Sequence, residues 1–266
     1  MSTATRKPEQ ISARAETASA RAIHANGATQ APVAAALREP DLVSIIMPAL
    51  NEEAAIGETI ASVPLDEFEK RGLRVEIVIV DNGSTDRTAE IATASGARVI
   101  AEAKRGYGNA YRRGFKEAHG AFICTMDADS TYPSEVMPEL VSSLHDDELD
   151  FINTNRLTLM TNGVMSKRNR IGNAFLTGFT RILFRHPFKD SQSGMWVFRA
   201  ELLDRMNLKA GGMALSQEIK LEAGSRLKVR CAEVPIKYSY RVGDSKLNVW
   251  RDGIINLLHL ARRRLS

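Results

Sequence analysis

Between Leu42 and Asp129 the chain alternates four short apolar runs with three amphipathic stretches, and every run ends in a polar cluster. The runs are Leu42–Met47 (stopped by Pro48), Val75–Val80, Ala97–Ile100 and Ala121–Met126. The spacing of Ile56, Ile60 and Val63 predicts a first helix, with Asn51 as its cap and Glu in its first turn. A second helix is expected from Arg87 to about Ser95. A third runs over Asn109–His119 and is stopped by Gly120. Strands and helices joined by short connections predict an α/β domain with a mostly parallel sheet and helices on both faces. Ligands of such sheets bind beyond the carboxyl ends of the strands. Pro48–Glu53, Asp81–Asp86, Lys104–Gly108 and Asp127–Asp129 all fall there.

The last cluster carries the most chemistry. Phe122–Met126 reads as a buried strand and breaks off in Asp127-Ala128-Asp129. Residues two apart in extended chain point to the same side. Two hard oxygen ligands at a strand end suit Mg²⁺ or Mn²⁺ bridging to a diphosphate. Taken singly, each cluster also reads as turn and cap chemistry, because Asn-Gly, Ser and Asp favour both. Gly106-Tyr107-Gly108 does not fit the dinucleotide glycine fingerprint and no P-loop occurs, which argues against a nicotinamide oxidoreductase and a P-loop kinase.

The bulk properties are compatible with this. The 266 residues are 44% hydrophobic and 26% charged, with a formal net charge of +4, as expected of one large soluble domain with appendages. Cys124 and Cys231 sit in apolar runs without metal spacing and read as reduced, buried thiols. No transmembrane run and no signal-peptide core is found. Residues 1–40 contain almost no large apolar side chains and read as a disordered tail, with a transient Ala-rich helix around Ser12–Ile23; five Lys/Arg against three Glu leave a targeting role open.

The series Ser44–Glu53, Val80–Asp86, Arg105–Ala110 and Met126–Asp129 resembles the family-two glycosyltransferases of GT-A fold, and is most similar to their dolichyl-phosphate mannose synthase and polyprenyl-phosphate glycosyltransferase branch. The resemblance covers about Leu42 to Leu260. It implies that Pro48, Ala49, Asn51 and Glu53 line the nucleotide pocket and that Asp81 contacts base or ribose. Asn82, Ser84 and Asp86 would shape that loop, with Lys104, Gly106 and Ala128 joining the donor-binding set. Asp127 and Asp129 would hold the divalent ion, Mg²⁺ or Mn²⁺. Some synthases of this type add a Gln ligand two positions past the second Asp; here Thr131 stands there, which leaves a place for water.

The second half differs in character. From Phe151 to Lys189 there are seven Lys/Arg and no acid. Phe175, Leu176, Phe179, Ile182, Leu183, Phe184 and Phe188 recur in it at helical spacing. A helix on an anionic membrane surface and an ordinary buried helix with solvated cations both fit. The resemblance places Arg156 and Arg170 on the lipid phosphate and gives Asp190–Arg199, with Ser193, an acceptor-side role. Met213–Glu222 is expected to be helical. Its Glu218 lies near where related transferases with hydroxyl acceptors keep a base, although a phosphate acceptor needs none. Val229–Tyr240 alternates like a strand and leads to Arg241, Ser245 and Lys246, which the resemblance implies bind the donor diphosphate or acceptor phosphate by charge-assisted hydrogen bonds. Residues 247–266 place Leu247, Trp250, Ile254, Leu257 and Leu258 on one helical face, away from Arg251 and Asn256. That helix reads either as packed or as a peripheral anchor.

The expectation is therefore an enzyme with a tail over 1–40, a catalytic domain over 41–246 and a basic amphipathic helix over 247–266. It would be an inverting hexosyltransferase that moves a sugar from a nucleoside-diphosphate donor to a polyprenyl phosphate, peripheral on the cytoplasmic face of a membrane. Asp127, Asp129, Arg156, Arg241 and Glu218 are its candidate catalytic residues. The alternatives are a soluble hydroxyl acceptor and a non-catalytic nucleotide-sugar-binding scaffold. Nucleic acid is not an expected partner, because the basic segments are interleaved with bulky apolar residues and the rim is acidic.

Overall fold

The computed structural model describes residues 38–146, 148–160, 164, 167–184, 188–241 and 256. Residues 1–37 of the tail expected over 1–40, Ser245, Lys246 and, apart from Asn256, the expected terminal helix lie outside them, while Glu39 and Pro40 of that tail belong to the first strand. Among the described residues one sheet is built from β1 (Glu39–Ala49), β2 (Arg74–Asp81), β3 (Arg98–Ala101), β4 (Gly120–Thr125), β5 (Phe151–Asn155), β6 (Trp196–Arg199) and β7 (Cys231–Pro235). Their order across the sheet is β3-β2-β1-β4-β6-β5-β7. β1 runs parallel to β2 and β4, β2 to β3, and β5 to β7. Only β6 is reversed, antiparallel to both β4 and β5. The carboxyl ends of β1, β2, β4, β5 and β7 therefore share one rim, and β6 begins at that rim.

The core follows from the two-residue alternation of the strands. Val43, Ile45 and Met47 of β1, with Phe122 and Cys124 of β4, face one layer; Ile46 and Ile123 face the other. The first layer is closed by α1 (Ile56–Ala61), α2 (Leu65–Glu69), α3 (Thr88–Ala94) and α5 (Met137–Asp146). The second is closed by α4 (Tyr107–Glu117) and α7 (Leu215–Leu221). Between β5 and β6 lies α6 (Lys167–Phe184).

Several local expectations are corrected. Pro48 does not stop β1; it lies within it, in register with Val80. Ile46 O accepts from Met126 N on the β4 side, and Ala49 O accepts from Asn82 N on the β2 side. Alternation turns Pro48 to the β4 side, past the last registered pair Ile46–Thr125, so its missing N–H breaks no ladder bond. Asn51 does not cap α1. Its φ is 53°, the residue before α1 is Ala55, and no side chain caps that helix. Gly120 opens β4 instead of ending the helix, which closes at Glu117 as Ala118 becomes extended. The expected strand over Val229–Tyr240 shortens to Cys231–Pro235, because its partner β5 ends at Asn155. Beyond it, Ser239 N donates to Thr131 O and pulls the chain across the rim. Asn256, expected off the apolar face, is buried and donates to Gln192 Oε1 at 3.5 Å.

α4 lies on the sheet at unusually close range. A Cβ at Gly114 would fall 2.5 Å from Ile46 Cγ2 and 3.1 Å from Val80 Cγ2. Both belong to fully buried, β-branched side chains that have little room to turn. Helix propensity alone favours Ala over Gly by about 1 kcal/mol. Overpacking of a filled core opposes it by about 1–3 kcal/mol, and the contact distance makes this the larger effect. Gly114→Ala is therefore expected to lower the melting temperature, with partial recovery in the Ile46→Ala/Gly114→Ala double variant; a rise in the single variant would refute the close approach.

Candidate active site

One half of the rim is two loops laced to each other. Asn51 Oδ1 accepts from Thr85 N at 2.7 Å, and Ser84 Oγ accepts in return from Asn51 N at 3.0 Å. Asp86 accepts from Glu53 N at 3.2 Å and from Thr88 N at 3.0 Å, while Glu53 Oε2 accepts from Arg87 N at 3.0 Å. Asp81 Oδ1 accepts from Ser84 N at 3.0 Å and closes the turn. Asn82 is the central staple. Its Oδ1 accepts from Gly106 N at 2.6 Å, and its Nδ2 donates to Glu102 O and Lys104 O at 2.9 and 3.0 Å. The structure thus brings Asn51, Glu53, Asp81, Asn82, Ser84, Asp86, Lys104 and Gly106 together beside Pro48 and Ala49, with many of their polar atoms holding the loops in shape.

Asp127 and Asp129 follow β4 directly. Asp127 Oδ1 accepts from Tyr107 Oη at 3.2 Å. Burial pushes the Asp127 carboxyl up to about 7; the charge of Asp129 adds to this, and Arg156 and Arg241 oppose it. Asp129 is 2% exposed. Its Oδ1 accepts from Thr131 N and, at 2.6 Å, from Thr131 Oγ1. Its Oδ2 pairs with Arg241 Nη1 at 2.6 Å, while Arg241 Nη2 reaches Glu52 Oε1. Thr131, the departure from the Gln pattern, is thus a donor to Asp129. Two carboxylates whose mutual repulsion and burial raise a pKa, with an arginine supplying the balancing charge, fit a hard divalent cation. Such an ion takes one or two carboxylates and completes its shell with phosphate and water.

On the other side of the rim, Arg156 and Asp190 form a bidentate pair, with Nε–Oδ2 at 2.9 Å and Nη2–Oδ1 at 3.0 Å. Arg156 lies over the Tyr238 ring, 5.3 Å from its centroid. Ser193 is buried, with its Oγ 2.8 Å from Thr154 Oγ1. Gly194 packs against the Asp127 site: a Cβ there would lie 2.7 Å from Tyr107 Oη and 3.2 Å from Asp127 Oδ1. Glu218 is buried, and its Oε2 accepts from the Lys209 and Ala210 amides. Arg170 is exposed on α6. Tyr107, Tyr132, Glu52 and Lys220 are site neighbours to which sequence patterns gave no individual role. Of these, Glu52 and Tyr107 lay inside rim clusters, which was a usable signal.

Burial raises the Asp190 carboxyl, but Arg156 beside it more than offsets this and holds it below the ordinary range. A carboxyl depressed in the folded state contributes stability above its unfolded value and loses it as pH falls through the folded one. Removing the arginine takes away the largest influence opposing burial and leaves only Lys220 and backbone amides to hold the carboxyl down, so it takes up a proton at higher pH than in the wild type. Arg156→Met is expected to lose about 3–5 kcal/mol near neutral pH. The deficit should shrink toward pH 4 as Asp190 takes up a proton, read from denaturant unfolding at several pH values. A deficit independent of pH would contradict the pairing.

Comparison with known proteins gives a consistent picture. The family model described as glycosyl transferase family 2 matches residues 44–206. The chain is 34% identical over 215 residues to the low-salt glycan biosynthesis hexosyltransferase Agl6 of Haloferax volcanii, covering 79% of this chain and 51% of that protein. It thus spans about half the length of that relative. It is also 34% identical over 213 residues to a dolichyl-phosphate hexose transferase of the same organism, covering 80% of this chain and 90% of that protein. Among solved structures, glucosyl-3-phosphoglycerate synthase from Mycobacterium tuberculosis, in complex with Mn²⁺, UDP and glucosyl-3-phosphoglycerate, matches with a TM-score of 0.65 at 23% identity. That match covers 83% of this chain and 80% of that one, and the shared architecture is the GT-A fold. The chain belongs to glycosyl transferase family 2.

Proposed function

We propose that the protein transfers a hexose, with inversion, from a nucleoside-diphosphate sugar to a polyprenyl phosphate at a membrane surface. The observation that carries this reading is the Asp127–Asp129 pair at the rim, flanked by the laced donor loops and balanced by Arg241. The dolichyl-phosphate hexose transferase matched over 90% of its length supports the lipid acceptor.

In this reading the laced loops hold the nucleotide, and Asp127 and Asp129 hold a divalent cation. When bound, the cation supplies Lewis-acid neutralisation of the departing diphosphate. Arg241 keeps a positive charge beside Asp129 and Glu52, where it would favour the negative diphosphate. An acceptor phosphate oxygen forms the new bond to the anomeric carbon as the bond to the diphosphate breaks. The acceptor arrives ionised, so the step needs no base. Glu218 suits this account, since its buried carboxylate accepts from two backbone amides and serves as a holder of the 209–210 turn.

The membrane surface is assigned to α6. Ile171, Phe175 and Ile182 are 70%, 61% and 83% exposed and lie on one helical stripe, with Arg170 and Arg181 exposed beside them. Among the described residues, no helix is long and apolar enough to cross a membrane. Leu176 and Thr177 form the buried face of α6.

Nucleotide release is to be measured with uridine- and guanosine-diphosphate sugars, with Mg²⁺ or Mn²⁺, with and without a polyprenyl phosphate in detergent. Metal-dependent release from one donor, rising on addition of lipid, is the expected result; release that ignores the lipid would transfer the assignment to a soluble acceptor. Asp127→Asn should reduce turnover by roughly 10²–10³-fold. Vesicles containing anionic lipid should float the wild-type protein and fail to float a Phe175→Asp/Ile182→Asp variant of equal stability. Equal flotation of the two would remove α6 from the membrane contact.

A further inference from the structure

Lys220 is fully buried on α7, between Ile219 and Leu221, which are apolar core residues. Its ammonium donates to Ser191 O at 2.8 Å, Ser193 O at 2.7 Å and Ser216 Oγ at 3.2 Å. Three donors meet three oxygens, which satisfies the group. The Trp196 ring lies 5.5 Å away and completes the cage. None of these partners is charged. The nearest carboxylate, Asp190, is chelated by Arg156. Burial lowers the Lys220 pKa to about 7, against a raising influence from Asp190. A methionine or leucine would fill this site without that desolvation, so the ammonium is a poor device for stability alone. Its geometric effect is specific.

A planar trans peptide points its C=O and the following N–H in opposite directions. With Ser193 O drawn inward to Lys220, the Gly194 N–H is turned outward, where it donates to Tyr132 Oη at 2.6 Å. With Ser191 O drawn inward, the Gln192 N–H is turned to Asp190 Oδ1 at 3.1 Å. Ser193 O also accepts from Trp196 Nε1 at 2.7 Å and from Ser216 Oγ at 2.9 Å. The loop therefore hangs on carbonyls gathered around one ammonium, and its outer face presents Gly194 to Asp127 and Tyr107.

We infer that Lys220 is a positioning residue for sugar transfer: by gathering the Ser191 and Ser193 carbonyls it sets which face of the 190–194 loop meets Asp127, and so where the acceptor stands. This rests on the Asp127 cleft being the reaction centre. Lys220 touches neither donor loop and acts through the backbone of the acceptor-side loop.

The test uses the full chain and compares Lys220→Met with wild type. The nucleoside diphosphate affinity measured by calorimetry with Mn²⁺ is expected to stay within about twofold, as for sites without shared partners. Acceptor-dependent transfer should fall roughly 10- to 100-fold, while slow donor hydrolysis without acceptor persists. Equal losses in donor binding, hydrolysis and transfer would mark Lys220 as merely structural and overturn the inference, as would no loss at all. Ser216→Ala, which removes one partner without stranding a charge, keeps the test valid if Lys220→Met does not fold; it should show the same split at roughly fivefold. The chain has two tryptophans, Trp196 and Trp250, so a Trp250→Phe background isolates Trp196 as a reporter of the loop. If wild type releases no nucleotide from any donor, the functional reading fails by itself, and the emission decides this one. A red shift of Trp196 in Lys220→Met supports loop positioning, and an unchanged spectrum overturns it.

Discussion

Two guanidiniums that hold three carboxylates allow the rim to exist. Asp129, Glu52 and Asp190 are all buried at the ends of strands or just beyond them. An isolated carboxylate so placed is penalised by several kcal/mol. Arg241 meets the first two and Arg156 meets the third. The arginines come from the second half of the chain, and two of the three acids come from the first. Arg241 is 112 residues from Asp129 and 189 from Glu52. The charge balance at Asp129 and Glu52 therefore needs β7 paired with β5 and the chain beyond it crossing to Thr131. The electrostatics of the first half of the rim rest on the placement of the second.

The relation between sequence and structure follows the range of the forces involved. The alternation over Leu42–Met126 is local, and the parallel sheet, the rim and the paired aspartates were all legible from it. The errors arise where a local rule met a longer-range partner. Asn51 has the chemistry of a helix cap, but Thr85 on the next loop offers a better-placed amide, and the residue adopts a left-handed conformation to reach it. Pro48 breaks strands whose N–H is needed, and here the neighbouring strand has already ended. Lys220 was illegible for the same reason. In Leu215–Leu221 a lysine at that position reads as solvated, and only the carbonyls of a loop some 27–29 residues away turn it inward. The exposed stripe of α6 was half legible: the spacing was visible, but which face stays uncovered depends on the Ser191–Thr177 contact.

The tyrosines add a further layer. Tyr107 and Tyr111 meet edge to face, with ring centroids 4.8 Å apart, and Tyr111 lies 5.2 Å from Trp196. This aromatic row runs from the start of α4 to the start of β6, beneath Asp127. It ties the position of the Asp127 carboxylate to the strand that follows the 190–194 loop. Rigid rings with few rotatable bonds transmit such placement with little loss of precision.

The single reversed strand has an architectural consequence. Because β6 runs against β4 and β5, the 40 residues from Arg156 to Met195 leave the rim at the end of β5 and return to it at the start of β6. They form a closed excursion whose two anchor points are adjacent in the sheet. Lengthening, shortening or replacing its outer part leaves every strand in register, since the entropy of closing a loop grows only slowly with its length. A chain of this design can vary the outer part of that excursion while keeping its sheet intact, an interchangeability that follows from one strand's direction.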